Sequence, residues 1–156
     1  MKPRSAVLLT LALCVSTLAL AGDADYTIKA PDGWKKRTTS SAPEHYMKNG
    51  VTWMLTIDVA PAEARTLDAY VEFVKKQYAG VLTGMKFDPV RKLTINGVDA
   101  RELTYSGETS GLTMKYDVVY VMKQTKVYTM TAGGMAGTFD SMKAEYRAFF
   151  NSFTLK

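Results

Sequence analysis

Between residues 51 and 60 the chain alternates strictly: Val51, Trp53, Leu55, Ile57 and Val59 fall on one side of a period of two, and Thr52, Met54, Thr56 and Asp58 on the other. This predicts a strand with one core face. Asn49-Gly50 precedes it and His45 to Lys48 lies before that, so the pair predicts a tight hairpin, because Asn-Gly readily takes the positive φ values of a type I′ turn. From Thr66 the period changes. Leu67, Tyr70, Val71, Val74 and Tyr78 lie on a single helical stripe, with Thr66 as the cap, Asp68 in the first turn, Glu72 spaced to pair with Lys76, and Gly80 as the stop.

A meander follows. Val90 to Ile95, a second Asn-Gly at Asn96-Gly97, Val98 to Ser106, a loop from Gly107 to Gly111, Leu112 to Met122, a turn at Lys123 to Thr125, and Lys126 to Ala132 predict four strands paired antiparallel in sequence order. In the third, Leu112, Met114, Tyr116, Val118, Tyr120 and Met122 share a face while Val119 and Val121 make the other face apolar too, which predicts a central strand covered on both sides. Met142, Tyr146, Phe149, Phe150 and Phe153 recur at helical spacing, so a C-terminal helix with an aromatic inner face is expected, ending near Asn151-Ser152 in a short tail. Near the start, Pro31-Asp32-Gly33 reads as a turn between two short extended pieces, Tyr26 to Ala30 and Trp34 to Thr38, and Thr39 to Glu44 as a polar loop. The sum is one antiparallel sheet flanked by helices, of the α+β class.

Residues 1–21 follow a different logic. Lys2 and Arg4 precede an apolar run from Ala6 to Leu20, and Ala19-Leu20-Ala21 is an A-x-A site before Gly22-Asp23. The run is about 15 residues, short of the roughly 20 that span a bilayer, and predicts a cleaved Sec signal peptide, a periplasmic destination and one domain over residues 22–156. Cys14 lies too early in the run, after Leu13 and not a small residue, to serve as a lipidated cysteine. It is the only cysteine of the 156-residue chain, so residues 22–156 hold no disulfide, catalytic thiol or cysteine metal site.

Loss of Lys2 and Arg4 takes the formal charge from +5 to +3, which is no polyanion signal in itself, and export argues against nucleic acid as a partner. Lys35-Lys36-Arg37 is the one basic run of three. With Trp34 beside it after a turn, residues 34–37 are the candidate binding patch, for an envelope protein or for an anionic membrane surface or glycan. Gly133, Gly134 and Gly137, read as a glycine-rich turn leading into the last helix, are a candidate anion-binding turn, although the lysine and hydroxyl residue of a P-loop are missing. His45 is the only histidine, and it is read as an exposed loop residue. A histidine-pair metal site is excluded, and any catalytic triad would have to be built on this residue. The 15 acids are scattered, with no Asp-x-Asp-x-Asp spacing, and no cofactor motif is present.

The order of these signals, with Pro31-Asp32-Gly33-Trp34, the helix from Leu67 to Gly80, the Asn96-Gly97 hairpin, the long strand pair, Tyr128 and Asn151-Ser152-Phe153, resembles the PsbP-like family. That family includes the PsbP subunit of photosystem II, a eukaryotic Ran-binding import factor and DcrB-type bacterial envelope proteins. The resemblance implies an α/β/α sandwich and a non-enzymatic accessory protein that docks to another envelope component. It leaves partner and oligomeric state open. A periplasmic inhibitor or immunity protein that neutralises a toxin or a wall-active enzyme is the alternative expectation.

Overall fold

The computed structural model describes residues 25–39 and 41–156, and the expected signal peptide and its cleavage site lie outside them. Strands β2 (Lys35–Lys36), β3 (Glu44–Lys48), β4 (Val51–Val59), β5 (Thr83–Phe87), β6 (Arg91–Ile95), β7 (Val98–Thr109), β8 (Leu112–Lys123) and β9 (Lys126–Met135) form one antiparallel sheet. Its order is β2-β3-β4-β9-β8-β7-β5, with β6 paired to the opposite end of β7. Helix α1 (Leu67–Tyr78) lies on one face. Helices α2 (Ala136–Ser141) and α3 (Lys143–Ser152) belong to the other, joined by a small ribbon of β1 (Tyr26–Thr27) and β10 (Thr154–Leu155).

Three hairpins close on two-residue turns with positive φ at both positions: Asn49-Gly50, Asn96-Gly97 and Ser110-Gly111. The last replaces the five-residue loop expected at 107–111, because β7 and β8 stay paired out to Thr109 and Leu112. Thr66 caps α1 by accepting from the Ala69 amide at 3.2 Å, as its position predicts. Glu72 bonds Lys75 at 2.9 Å instead of the expected Lys76. The two spacings place a partner equally close on a helix surface.

The core is split by the sheet. On the α2/α3 face, Trp53 stacks on Phe149 with ring centroids 4.5 Å apart and planes 12° apart, and Phe139 stacks on Tyr146 at 4.5 Å. On the α1 face, Tyr70, Val71 and Val74 meet Leu103, Val118 and Tyr120. Strand β8 is covered on both faces along its middle, as its pattern predicts.

Several elements differ from expectation. The C-terminal helix is two helices that break at Met142, and the tail after it is β10, which pairs with β1 and brings Phe153 to 6.0 Å from Tyr26. Strand β5 was not legible, since Thr-Gly-Met-Lys-Phe carries no alternation and its pairing with β7 is irregular. Ile57 and Val59 run past the packed layer and are 36% and 60% exposed, so the core stripe of β4 ends at Leu55.

Truncating the central stack should be severe and truncating the strand end mild. Phe149→Ala should cost about 3–5 kcal/mol of stability, and Ile57→Ala about 1 kcal/mol or less, measured by urea unfolding.

Candidate functional site

Strand alternation divides the expected patch at residues 34–37 between the two faces of the sheet. Trp34 is buried, sits edge-on to Phe149 at 5.0 Å, and its indole N–H donates to Glu145 at 3.2 Å. Lys48 reaches the same carboxylate at 2.6 Å, and these contacts hold Glu145 below the usual carboxylate range. Trp34 thus fastens the edge of the sheet to α3 and is no part of a surface patch. Lys36 points to this same face, paired with Glu44 at 2.9 Å and 5.7 Å from the centre of the Tyr46 ring. Lys35 and Arg37 alternate with it onto the opposite face, where Lys35 stands opposite Met47, and Arg37 is hydrogen-bonded through its backbone to His45.

That opposite face is only half covered. Helix α1 packs over β7 and β8, and among the described residues no helix covers the surface of β2, β3, β4 and the C-terminal half of β9. Alternation from His45 and Met47 through Thr52 and Met54 to Thr131 and Gly133 puts these residues on the uncovered half. Met114 and Tyr116 of β8 close it toward α1. On its side nearer α1, across β4, β9 and β8, is an apolar groove of about 230 Å³ lined by Thr52, Met54, Met114, Tyr116, Thr131 and Gly133. Leu112 and Met135, 51% and 45% exposed, stand at the rim.

Tyr116 shapes the groove. Its ring is stacked on Tyr105 at 4.8 Å and lies across Gly133, where an added Cβ would come within 2.6 Å of the ring. Gly133 is therefore glycine to admit an aromatic ring. Together with Gly134 it lies inside β9, paired with β8, so the expected anion-binding turn is a strand. Gly137 begins the six-residue α2. The backbone amides that a turn would have offered are committed to sheet pairing or to a very short helix.

His45 is not a loop residue. It is half-buried in β3 opposite Met54, and neither ring nitrogen has a hydrogen-bond partner among the described residues. Burial, and then the charge of Arg37, pull its pKa down from the ordinary histidine value. With no carboxylate orienting it, it has the wrong surroundings for a triad base.

A second polar feature went unread in the sequence. Glu102, 1% exposed, accepts from Arg91 and Arg147, and Arg147 also bonds Asp117 at 3.0 Å. Burial pushes the Asp117 carboxyl up to about 6, helped by the negative charge of Glu102. Burial also acts to raise Glu102, but hydrogen bonds from Arg147 and Arg91 outweigh it, so its net shift is downward. The clue was positional: Glu102 and Asp117 take places in β7 and β8 where Ala100, Val119 and Val121 are core. The cleft beside them, about 210 Å³, mixes Asp88, Asp117 and Asp140 with Lys115 and Lys143. Lys115 and Asp140 satisfy each other at 2.6 Å. The cluster is a tie between α3 and the sheet. Among the described residues no group of three or more histidine, cysteine, aspartate or glutamate side chains has the geometry to hold a metal, and no helix is long and apolar enough to cross a membrane.

No family model and no curated protein matches this sequence. Solved structures do. LpqN of Mycobacterium tuberculosis, described as involved in cell envelope biogenesis, superposes with a TM-score of 0.66 at 16% identity over 87% of each chain. Protein PA94 of Pseudomonas aeruginosa, of unknown function, gives 0.61 at 16% identity over 84% of this chain and 97% of that one. The cyanobacterial PsbP of Synechocystis gives 0.57 at 13% identity over 91% and 99%. At these identities the likeness is one of fold, and the fold is PsbP-like, as the order of sequence signals implied.

The buried acid pair has a measurable signature. Folded Asp117 holds its proton up to about pH 6, whereas the unfolded chain releases it near the ordinary value of 3.8. The native state therefore binds more protons across that window, and this group lowers stability as pH rises through it. Asp117→Asn should remove that contribution, so the melting temperature of wild type relative to the variant should fall between pH 4 and 7. Glu102→Gln should lose about 3 kcal/mol at pH 7 by leaving Arg91 without its carboxylate and Arg147 with Asp117 alone, read by urea unfolding.

Proposed function

We propose that the chain is a non-catalytic binding protein of the bacterial cell envelope, exported by a cleaved signal at residues 1–21, that docks to another envelope component through the uncovered half of its sheet. Within the PsbP-like group we place it nearest the DcrB type, on the leader and the single-domain layout. The observation that carries this reading is the open sheet face. A groove floored by Met54, Met114 and Tyr116, with Leu112 and Met135 at its rim, exposes apolar side chains that a free-standing sheet protein covers with a second helix. Methionine lets such a surface adapt to what it meets. The LpqN likeness supports an envelope setting for the fold.

Lys35 and Arg37 remain binding candidates from the basic run, because they border this face, and Trp34 and Lys36 serve the other side of the sheet. The lone histidine, half-buried and without a carboxylate partner, supports a role without covalent chemistry.

In a strain lacking the gene, wild type and His45→Ala should restore the deletion phenotype equally, and Met54→Asp should fail while keeping a far-UV circular dichroism spectrum and melting temperature close to wild type. A turnover in the purified protein that His45→Ala abolishes would overturn the reading. Full rescue by Met54→Asp would move docking to another surface.

A further inference from the structure

The occupant of the open face can be specified further, on the footing that the protein docks through it. We infer that it is an acidic amphipathic helix belonging to a protein partner, lying on β2, β3, β4 and β9 as a second helix in the layer of α1.

Width is the first argument. Four adjacent strands span about 14 Å between their outer axes at roughly 4.8 Å per step, and one helix with its side chains is about 10 Å across. The open region takes one helix and not two. It is bounded on one side by the β2 edge and on the other by Tyr116, which an aromatic row through Tyr105 links to Tyr78 at the end of α1. Between these limits Thr52, Met54, Thr131 and Gly133 line a hollow that can receive a helix ridge.

Charge is the second. Lys35 and Arg37 stand on the open face at its β2 edge, across β3 from the groove, and are exposed, with no salt bridge among the described residues. The single carboxylate of β4, Asp58, stands at the far end toward α1, where its charge is felt by Tyr70 and Tyr78. The β2 edge of the open face is cationic and the groove lining carries no charge. The matching ligand is apolar on one face and anionic along one flank, which is the pattern of an amphipathic helix carrying Glu or Asp beside its apolar stripe. A second copy of this chain brings the same two cations on its own open face and offers them no complementary charge there. A bilayer is flat, and would meet the rim at Leu112 and Met135 while leaving the floor at Gly133 unfilled.

The test is site-specific photocrosslinking in living cells with p-benzoylphenylalanine in the full chain, at Thr131 in the floor and, as control, at Lys92 on β6, followed by sequencing of the attached peptide. The expected product is formed at Thr131 and not at Lys92. Its attached peptide has net negative charge and apolar residues at helical spacing, and its yield falls about tenfold in a Lys35→Glu, Arg37→Glu background that melts like wild type. An attached peptide that is basic or alternates with period two overturns the helix and leaves docking standing. Attachment to lipid or to a second copy of the chain overturns the helix and the protein partner together. Absence of any product at Thr131, while crosslinker placed across the rest of the surface captures one envelope protein, overturns the site and keeps the function.

Discussion

A sheet whose strands carry apolar residues on both faces has to be covered twice, and the described residues of this chain cover it one and a half times. Trp53, Leu55, Val119, Val121, Tyr128 and Met130 are sealed by the aromatic faces of α2 and α3 and by the β1 and β10 ribbon. On the reverse face α1 shields Leu103, Val118 and Tyr120, and no helix of the described chain lies over Met54 and Met114, which are half-buried by their sheet neighbours. The shape of the molecule, the character of its groove and the reading of its function all descend from that shortfall. Apolar area left in water forfeits about 25 cal/mol for each Å² that a partner could cover, so an open face of this kind is a standing incentive to bind.

The covered side explains how the fold tolerates the shortfall. Helix α3 is attached by stacking, through Phe149 on Trp53, by the Trp34 indole and Lys48 on Glu145, and by Arg147 bridging Glu102 and Asp117. Buried ionic groups add little net stability against apolar replacements, but once present they admit few arrangements, because each unpaired member is expensive. The cluster fixes where α3 sits against the sheet. Its acid pair also ties that placement to pH through the raised Asp117 and the lowered Glu102.

Much of this was legible in the residues. Asn49-Gly50 and Asn96-Gly97 declared their hairpins, Thr66 and Gly80 bracketed α1, and the double apolar pattern of β8 announced a central strand. Each of these is a local signal with a local cause. What the sequence withheld was set by tertiary pairing. Strand β5 exists because β7 offers it an edge, β10 because β1 does, and Gly133-Gly134 lie in a strand because β8 continues beside them. The candidate patch at 34–37 failed as a unit for a related reason: a strand sends neighbours to opposite faces, so Trp34 and Lys36 went to the core side and Lys35 and Arg37 to the open side. The even positions of β4, Thr52 and Met54, were visible as a non-core face, but only the placement of α1 shows that they lie under no helix.

The account stands on the open face being exposed in the free protein and occupied in the cell envelope. Methionine oxidation by brief peroxide exposure, read residue by residue by mass spectrometry, measures both conditions with internal controls. In the purified protein Met47, Met54, Met114 and Met135 should oxidise while Met130 and Met142, at 0% and 5% exposure, stay reduced. In intact envelopes Met54 and Met114 should become protected while Met85, on β5 away from the groove, oxidises as before. Equal oxidation of Met54 and Met114 in both conditions would contradict the account.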